Sequence, residues 1–228
     1  MIEFLLMDLD DTILDFHKTE HIAIENTLRH FGIQPTPDTI ALYKQINQDH
    51  WQLFEQGKIT RKQVNEGRFT VLFQQLGKEV DGQYCADYYL SQLGMTYDFL
   101  PGAEEVVRRL AGKYRLFIAS NGNERVQTPR LAHSGLNDLI EKAFISETLG
   151  ENKPSKAYFD LCFAQIPDFD PARAIMVVDR LSSDIQGGIN AGIRTCWFNP
   201  SRQANTTDIH PDYEIEALSQ LEALLESL

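Results

Sequence analysis

The chain has 228 residues, of which 43% are hydrophobic and 24% charged, and its formal net charge is −12. That length supports one sizeable core, or a core plus a small second module, and the balance argues against long disorder. The acid excess repels polyphosphate, which argues against a nucleic-acid polymer or an anionic membrane as partner. A small anionic substrate stays admissible where a local cation inverts the field of one pocket.

Taken in chain order, residues 3–9 (FLLMDLD) read as a buried strand running into acids. The apolar run is short and lacks a basic leader or a small-residue cleavage site, so a signal peptide is not expected. No stretch is long enough to span a bilayer, and the reading is a soluble cytoplasmic protein. About a hundred residues then separate this strand from the next strand-like run, far more than one crossover helix needs. They carry helical patterns at Thr19–Phe31, Pro37–Glu55, Thr60–Leu76 and Gly82–Leu93, punctuated by Pro35, Pro37, Gly57 and Gly77. An inserted all-helical module over residues 16–96 is expected, with residues 1–15 and 97–228 forming the core domain. Strand-like runs resume at Arg115–Ser120, at KAFIS ending on Ser146, at Ala174–Asp179 and at Arg194–Phe198. DYEI reads as a final strand and EALSQLEALL as an amphipathic helix. Near-continuous apolar strands alternating with helices predict an α/β fold: a Rossmann-like, mostly parallel sheet covered on both faces. Cys85, Cys162 and Cys196 are odd in number, widely spaced and without a CxxC pair, so they read as reduced, packed thiols.

In open parallel sheets ligands sit beyond the carboxyl ends of the strands. The residues there are Asp8 and Asp10, Ser120 and Asn121, and Asp179 and Asp184. Asp8 and Asp10 share one side of an extended chain, which is costly unless a cation or proton lies between them. They fit a divalent-metal site with divided labour, one carboxylate attacking and the other moving protons. DDT equally fits a helix N-cap. Asp179 and Asp184 suit magnesium, which takes one or two carboxylates, and Ser182, Ser183 and Asp184 also fit a cap. Lys153 precedes Pro154 at a helix entrance, where an ammonium and a positive helix end favour phosphate. Ser120, Asn121 and Gly122 could cradle phosphate oxygens or form a plain turn.

The order of these signals resembles the haloacid dehalogenase superfamily of phosphotransferases. The strings are Asp8-Leu-Asp10-Asp-Thr12, then Ser120, then Lys153, then Asp179 with Asp184, and the helical insert resembles that superfamily's cap. The resemblance implies that Asp8 is the nucleophile and Asp10 the general acid/base. It implies a magnesium ion held by Asp8, the Asp10 carbonyl and Asp179. Asp184 and Thr12 would support the site, and Ser120, Asn121 and Lys153 would bind the phosphoryl group, Lys153 also holding Asp8 ionised. Superfamily members that displace halide lack the second aspartate, so Asp10 favours phosphate esters. GKITRKQVNEGRF, SDIQGGINAGIRTCWFNP and DYEIEALSQLEALL are similar to a pyrimidine 5′-nucleotidase subgroup, which implies a small phosphorylated metabolite such as a nucleoside monophosphate. Arg68 in the insert is read as a solvated helix residue. Val178 and Arg180 depart from the superfamily's Gly and small polar residue; Val178 is placed to crowd the acids and Arg180 to compete with magnesium for Asp179. Two alternatives stay open: a phosphosugar mutase on the same core, and a catalytically weakened binding or scaffold protein.

Overall fold

The computed structural model describes residues 1–228, apart from the side chain of Glu55. In chain order the regular elements are β1 (Phe4–Met7), α1 (Phe16–His30), α2 (Pro37–Glu55), a π turn at Gln63–Gly67 running into α3 (Arg68–Gln75), and α4 (Gly82–Leu93). Then come α5 (Ala103–Ala111), β2 (Arg115–Ser120), α6 (Glu124–His133), β3 (Lys142–Ile145), α7 (Ser146–Leu149) and α8 (Lys156–Phe163). The chain continues with β4 (Ala174–Val178), a π turn at Leu181–Ile185, α9 (Gln186–Ala191), β5 (Arg194–Phe198), β6 (Tyr213–Ile215) and α10 (Leu221–Glu226). Spatial proximity divides the chain into Met1–Phe16 with Tyr97–Leu228, and His17–Thr96.

The first unit is built on one six-stranded sheet in the order β3-β2-β1-β4-β5-β6, with all five pairings parallel. Alternation along β1 divides its side chains between two apolar layers. Leu5 and Met7 join Val107, Leu110 and Leu221 on one face, and Phe4 and Leu6 join Phe159, Cys162 and Ile185 on the other. A strand buried on both faces must be apolar throughout, which is why β1 reads FLLM. Each such Leu or Phe contributes about 1.5–3 kcal/mol by leaving water. Val178 lies in the second apolar layer with Met176 and Trp197, fully buried. Asn123 and Ser155 cap α6 and α8 through bonds from Arg125 N (2.9 Å) and Ala157 N (3.2 Å). The three cysteines are free and buried, and burial pushes each thiol up to about 12.

The second unit is all-helical. Thr36 and Pro37 start α2, with Thr36 Oγ1 accepting from Thr39 N (3.2 Å), and Asp81 Oδ1 caps α4 through Gln83 N (2.9 Å) and Tyr84 N (3.1 Å). Arg68 is not solvated as its residue type led us to expect; it is 3% exposed. It follows Val64 by four positions and precedes Leu72 by four, so it falls on the buried stripe of its helix. Its Nη1 donates to Asn47 Oδ1 (2.6 Å), and its guanidinium lies over the rings of Phe69 and Tyr89 at 5.0 and 4.9 Å. Asn47 Nδ2 and Tyr43 Oη donate to Glu20 Oε1 at 2.8 and 3.3 Å, closing a buried polar network among the helices. Burial raises the Glu20 carboxyl, and Arg68 opposes that rise. Among the described residues no helix is long and apolar enough to cross a membrane.

Candidate active site

The strand order decides which side chains meet. β1 lies between β2 and β4, with Met7 paired to both Ile118 and Val177. The chain turns one way through β2 to β3 and the other through β4 to β6, so the carboxyl end of β1 is the switch point where ligands bind in such sheets. Asp8 follows β1, Ser120 ends β2 and Asp179 follows β4. The three converge on one edge; the segments after β1, β2 and β4 supply Asp10, Thr12, Asn121 and Asp184, and the α7–α8 connection supplies Lys153.

Lys153 is the hub. Its Nζ donates to Asp8 Oδ1 (2.9 Å) and the Ala119 carbonyl (2.5 Å) and forms an ion pair with Asp184 Oδ1. Burial opposes the ammonium charge, but Asp184 and Asp8 overcome it and hold its pKa above the ordinary lysine range. Asn121 fixes the backbone of this residue in both directions. Its Nδ2 donates to the Lys153 carbonyl (2.9 Å), and its Oδ1 accepts from Lys153 N (2.8 Å). The Asn121 side chain therefore ties the lysine loop to the end of β2. Asp184 does not cap: no side chain caps the Leu181–Ile185 turn, and Asp184 sits inside it, accepting from Ser183 Oγ (2.6 Å) and paired with Lys153. Within the DDT string, Asp11, at φ 56°, accepts from Phe16 N (3.0 Å) at the start of α1. Asp8 and Asp10 are left for the site.

Two residues of the site were missed in the sequence. Gln127 Nε2 donates to Asp10 Oδ2 (2.6 Å) and to Ser120 Oγ (3.0 Å), and Arg130 Nη1 donates to Asp10 Oδ1 and to Gln127 Oε1 (2.8 Å). Both are buried, on one face of α6 at i and i+3. That spacing in ERVQTPRL, just after a strand-end Ser-Asn-Gly, was the available signal.

The carboxylates outnumber the cations buried with them. Asp8, Asp10, Asp179 and Asp184 face Lys153 and Arg130; Arg180 adds a charge near Asp179 from an exposed position. Burial raises the Asp8 carboxyl well above the usual range despite Lys153, and Asp184, Asp179 and Asp10 raise it further. Lys153, whose ammonium donates to Asp8 Oδ1, is the group that opposes this rise. Asp179 is pushed up to about 7, by burial first and Asp184 second, against Arg180 and the Thr12 hydroxyl, which donates to Asp179 Oδ1 (3.1 Å). Hard oxygen donors with excess negative charge at a strand-end crevice fit a divalent cation such as magnesium. Asp8, Asp179 and the Asp10 carbonyl are the oxygens that could hold it.

Residues 5–198 match the family of haloacid dehalogenase-like hydrolases. The putative HAD-hydrolase YfnB of Bacillus subtilis is 39% identical over 97% of this chain and 94% of its own. Its crystal structure, bound to magnesium and described as revealing interdomain movement, superposes with a TM-score of 0.94, covering 98% of each chain. The pyrimidine 5′-nucleotidase PynA of Streptococcus pneumoniae is 37% identical over 96% of this chain and 93% of its own. The pyrimidine 5′-nucleotidase YjjG of Escherichia coli is 30% identical over 98% and 97%. With the switch-point acids, the buried lysine and these similarities together, the chain belongs to the haloacid dehalogenase-like hydrolase family.

Proposed function

We propose that this protein is a magnesium-dependent phosphomonoester hydrolase acting on a small phosphorylated metabolite, with nucleoside 5′-monophosphates the first candidates, and that residues 16–96 form its cap domain. The observation that carries the reading is the placement of two aspartates, Asp8 and Asp10, at the end of the central strand, one on Lys153 and the other held by donors of its own. A halide displacement needs only the first; an alkoxide leaving group needs a proton from the second. The nucleotidase relatives support the substrate class.

In the first half-reaction an Asp8 oxygen bonds to phosphorus, the ester P–O bond breaks, and the leaving oxygen takes the Asp10 carboxyl proton. In the second, water attacks the phosphorus of the aspartyl-phosphate and gives a proton to the Asp10 carboxylate. The bond to Asp8 breaks, and inorganic phosphate departs. Lys153 places positive charge beside the transferring group. Ser120 Oγ already accepts from Gly122 N and Gln127 Nε2, both at 3.0 Å, so its own O–H is the part free to donate to a phosphoryl oxygen. A magnesium ion bound by Asp8, Asp179 and the Asp10 carbonyl supplies further neutralisation of phosphoryl charge. Phosphate release from p-nitrophenyl phosphate and from a panel of nucleoside 5′-monophosphates tests the reading. Turnover that stops with EDTA and returns with magnesium is expected, and no release from any ester would overturn it.

The same acids predict a pH signature. Asp8 and Asp179 have folded pKa values above the ordinary aspartate value, so without metal the native state binds more protons than the unfolded chain up to about pH 7. Stability then falls as pH rises through that window. Magnesium competes with those protons, so its rise in melting temperature is expected to be larger at pH 8 than at pH 5. An equal rise at both values would count against Asp8 and Asp179 as ligands.

A further inference from the structure

We infer that Gln127 and Arg130 are positioning residues that hold Asp10 as the base for the water step. The inference rests on the phosphatase reading. Both Asp10 oxygens accept N–H bonds from these two side chains, Oδ2 from Gln127 and Oδ1 from Arg130. These two bonds fix the plane and direction of the Asp10 carboxyl group, the group that takes a proton from water in the second half-reaction. Arg130 and Gln127 also bond to each other, and Gln127 reaches on to Ser120 Oγ, so the orientation of Asp10 is tied to the end of β2.

The surroundings fix the clamp. Arg130 is fully buried, and its guanidinium lies over the Phe16 ring at 5.6 Å. Gln127 is 1% exposed and presses on Gly122 so closely that a Cβ there would lie 2.4 Å from its Nε2 and 2.7 Å from its Cγ. The glycine is therefore what lets Gln127 approach the turn after β2. A buried guanidinium is costly to desolvate, and removing it strands its partner. A purely structural reading makes Arg130 a counter-charge for a half-buried acid. It does not account for Gln127, which is neutral and grips the other oxygen.

The two readings separate in kinetics. p-Nitrophenolate leaves without a proton, so formation of the aspartyl-phosphate from that ester needs Asp10 little, whereas hydrolysis of the intermediate needs it fully. For Arg130→Lys and Gln127→Met with p-nitrophenyl phosphate, kcat is expected to fall about 10²-fold while kcat/KM changes less than about threefold, in the range that a positioned base contributes. A stoichiometric burst of nitrophenolate should precede the slow phase, and acid quenching should trap the phosphoenzyme. Gln127→Met keeps the test available if Arg130→Lys does not fold. On an Asp10→Asn background either substitution should cost nothing further, because a residue acting only through Asp10 has nothing left to position. Equal losses in kcat and kcat/KM without a burst, or losses that multiply with Asp10→Asn, would overturn the clamp. A wild-type protein that releases no phosphate would instead overturn the phosphatase reading itself.

Discussion

Asp8→Asn is expected to lower phosphate release by at least about 10⁴-fold while leaving the protein folded and about as stable as before. An amide oxygen is too weak a nucleophile to displace an alkoxide from phosphorus, so the loss belongs to the chemical step. The stability half follows from charge. Asp8 is buried, and burial together with three neighbouring acids already disfavours its ionised form. Replacing it with a neutral group of the same size removes that repulsion, and Lys153 still keeps Asp184. Side-by-side phosphate assays and thermal melts check both halves. Turnover within tenfold of wild type would remove Asp8 from the nucleophile's role.

Lys153→Met is expected to cost about 3–5 kcal/mol of stability and to abolish turnover, because it leaves Asp8 and Asp184 buried without their shared cation. Lys153 is 4% exposed, so water cannot enter to replace it without opening the site. The two losses have different origins and can be separated. Adding Asp184→Asn removes one stranded charge and should return a large part of the stability. It should not return activity, since the charge beside the transferring phosphoryl group is still gone. Denaturant melts of the single and double variants measure this. A loss below about 1 kcal/mol in the single variant would show that Lys153 is not the electrostatic centre of the acids.

The fold and the chemistry-bearing positions were legible because strand ends write themselves plainly. FLLMDLD, RLFIAS and AIMVVD each run apolar into polar at the point where a buried strand leaves the sheet, and order along the chain did the rest. The residues on helices were harder. Gln127, Arg130 and Arg68 carry no sign in their type that they are buried. An arginine on a helix is usually solvated, and only its position relative to apolar neighbours four residues away shows otherwise. The hold of Asn121 on the lysine loop was not legible, because which neighbour an amide bonds to is a property of three dimensions. Val178 was read only from its place beside Asp179; its full burial in the layer that holds Phe4 and Leu6 is a property of the folded sheet.

The central place of β1 has a consequence for how the protein comes to exist. This strand is translated first of the six, yet its two neighbours are β2 and β4, far along the chain. During synthesis Asp8 and Asp10 must wait, on an apolar segment with nowhere to dock, until Val177 has emerged and a gap between two strands can receive them. Pairings of such sequence separation form slowly. The catalytic edge is therefore expected to be among the last parts to assemble, and a chain released before β4 should carry both aspartates and still have no site.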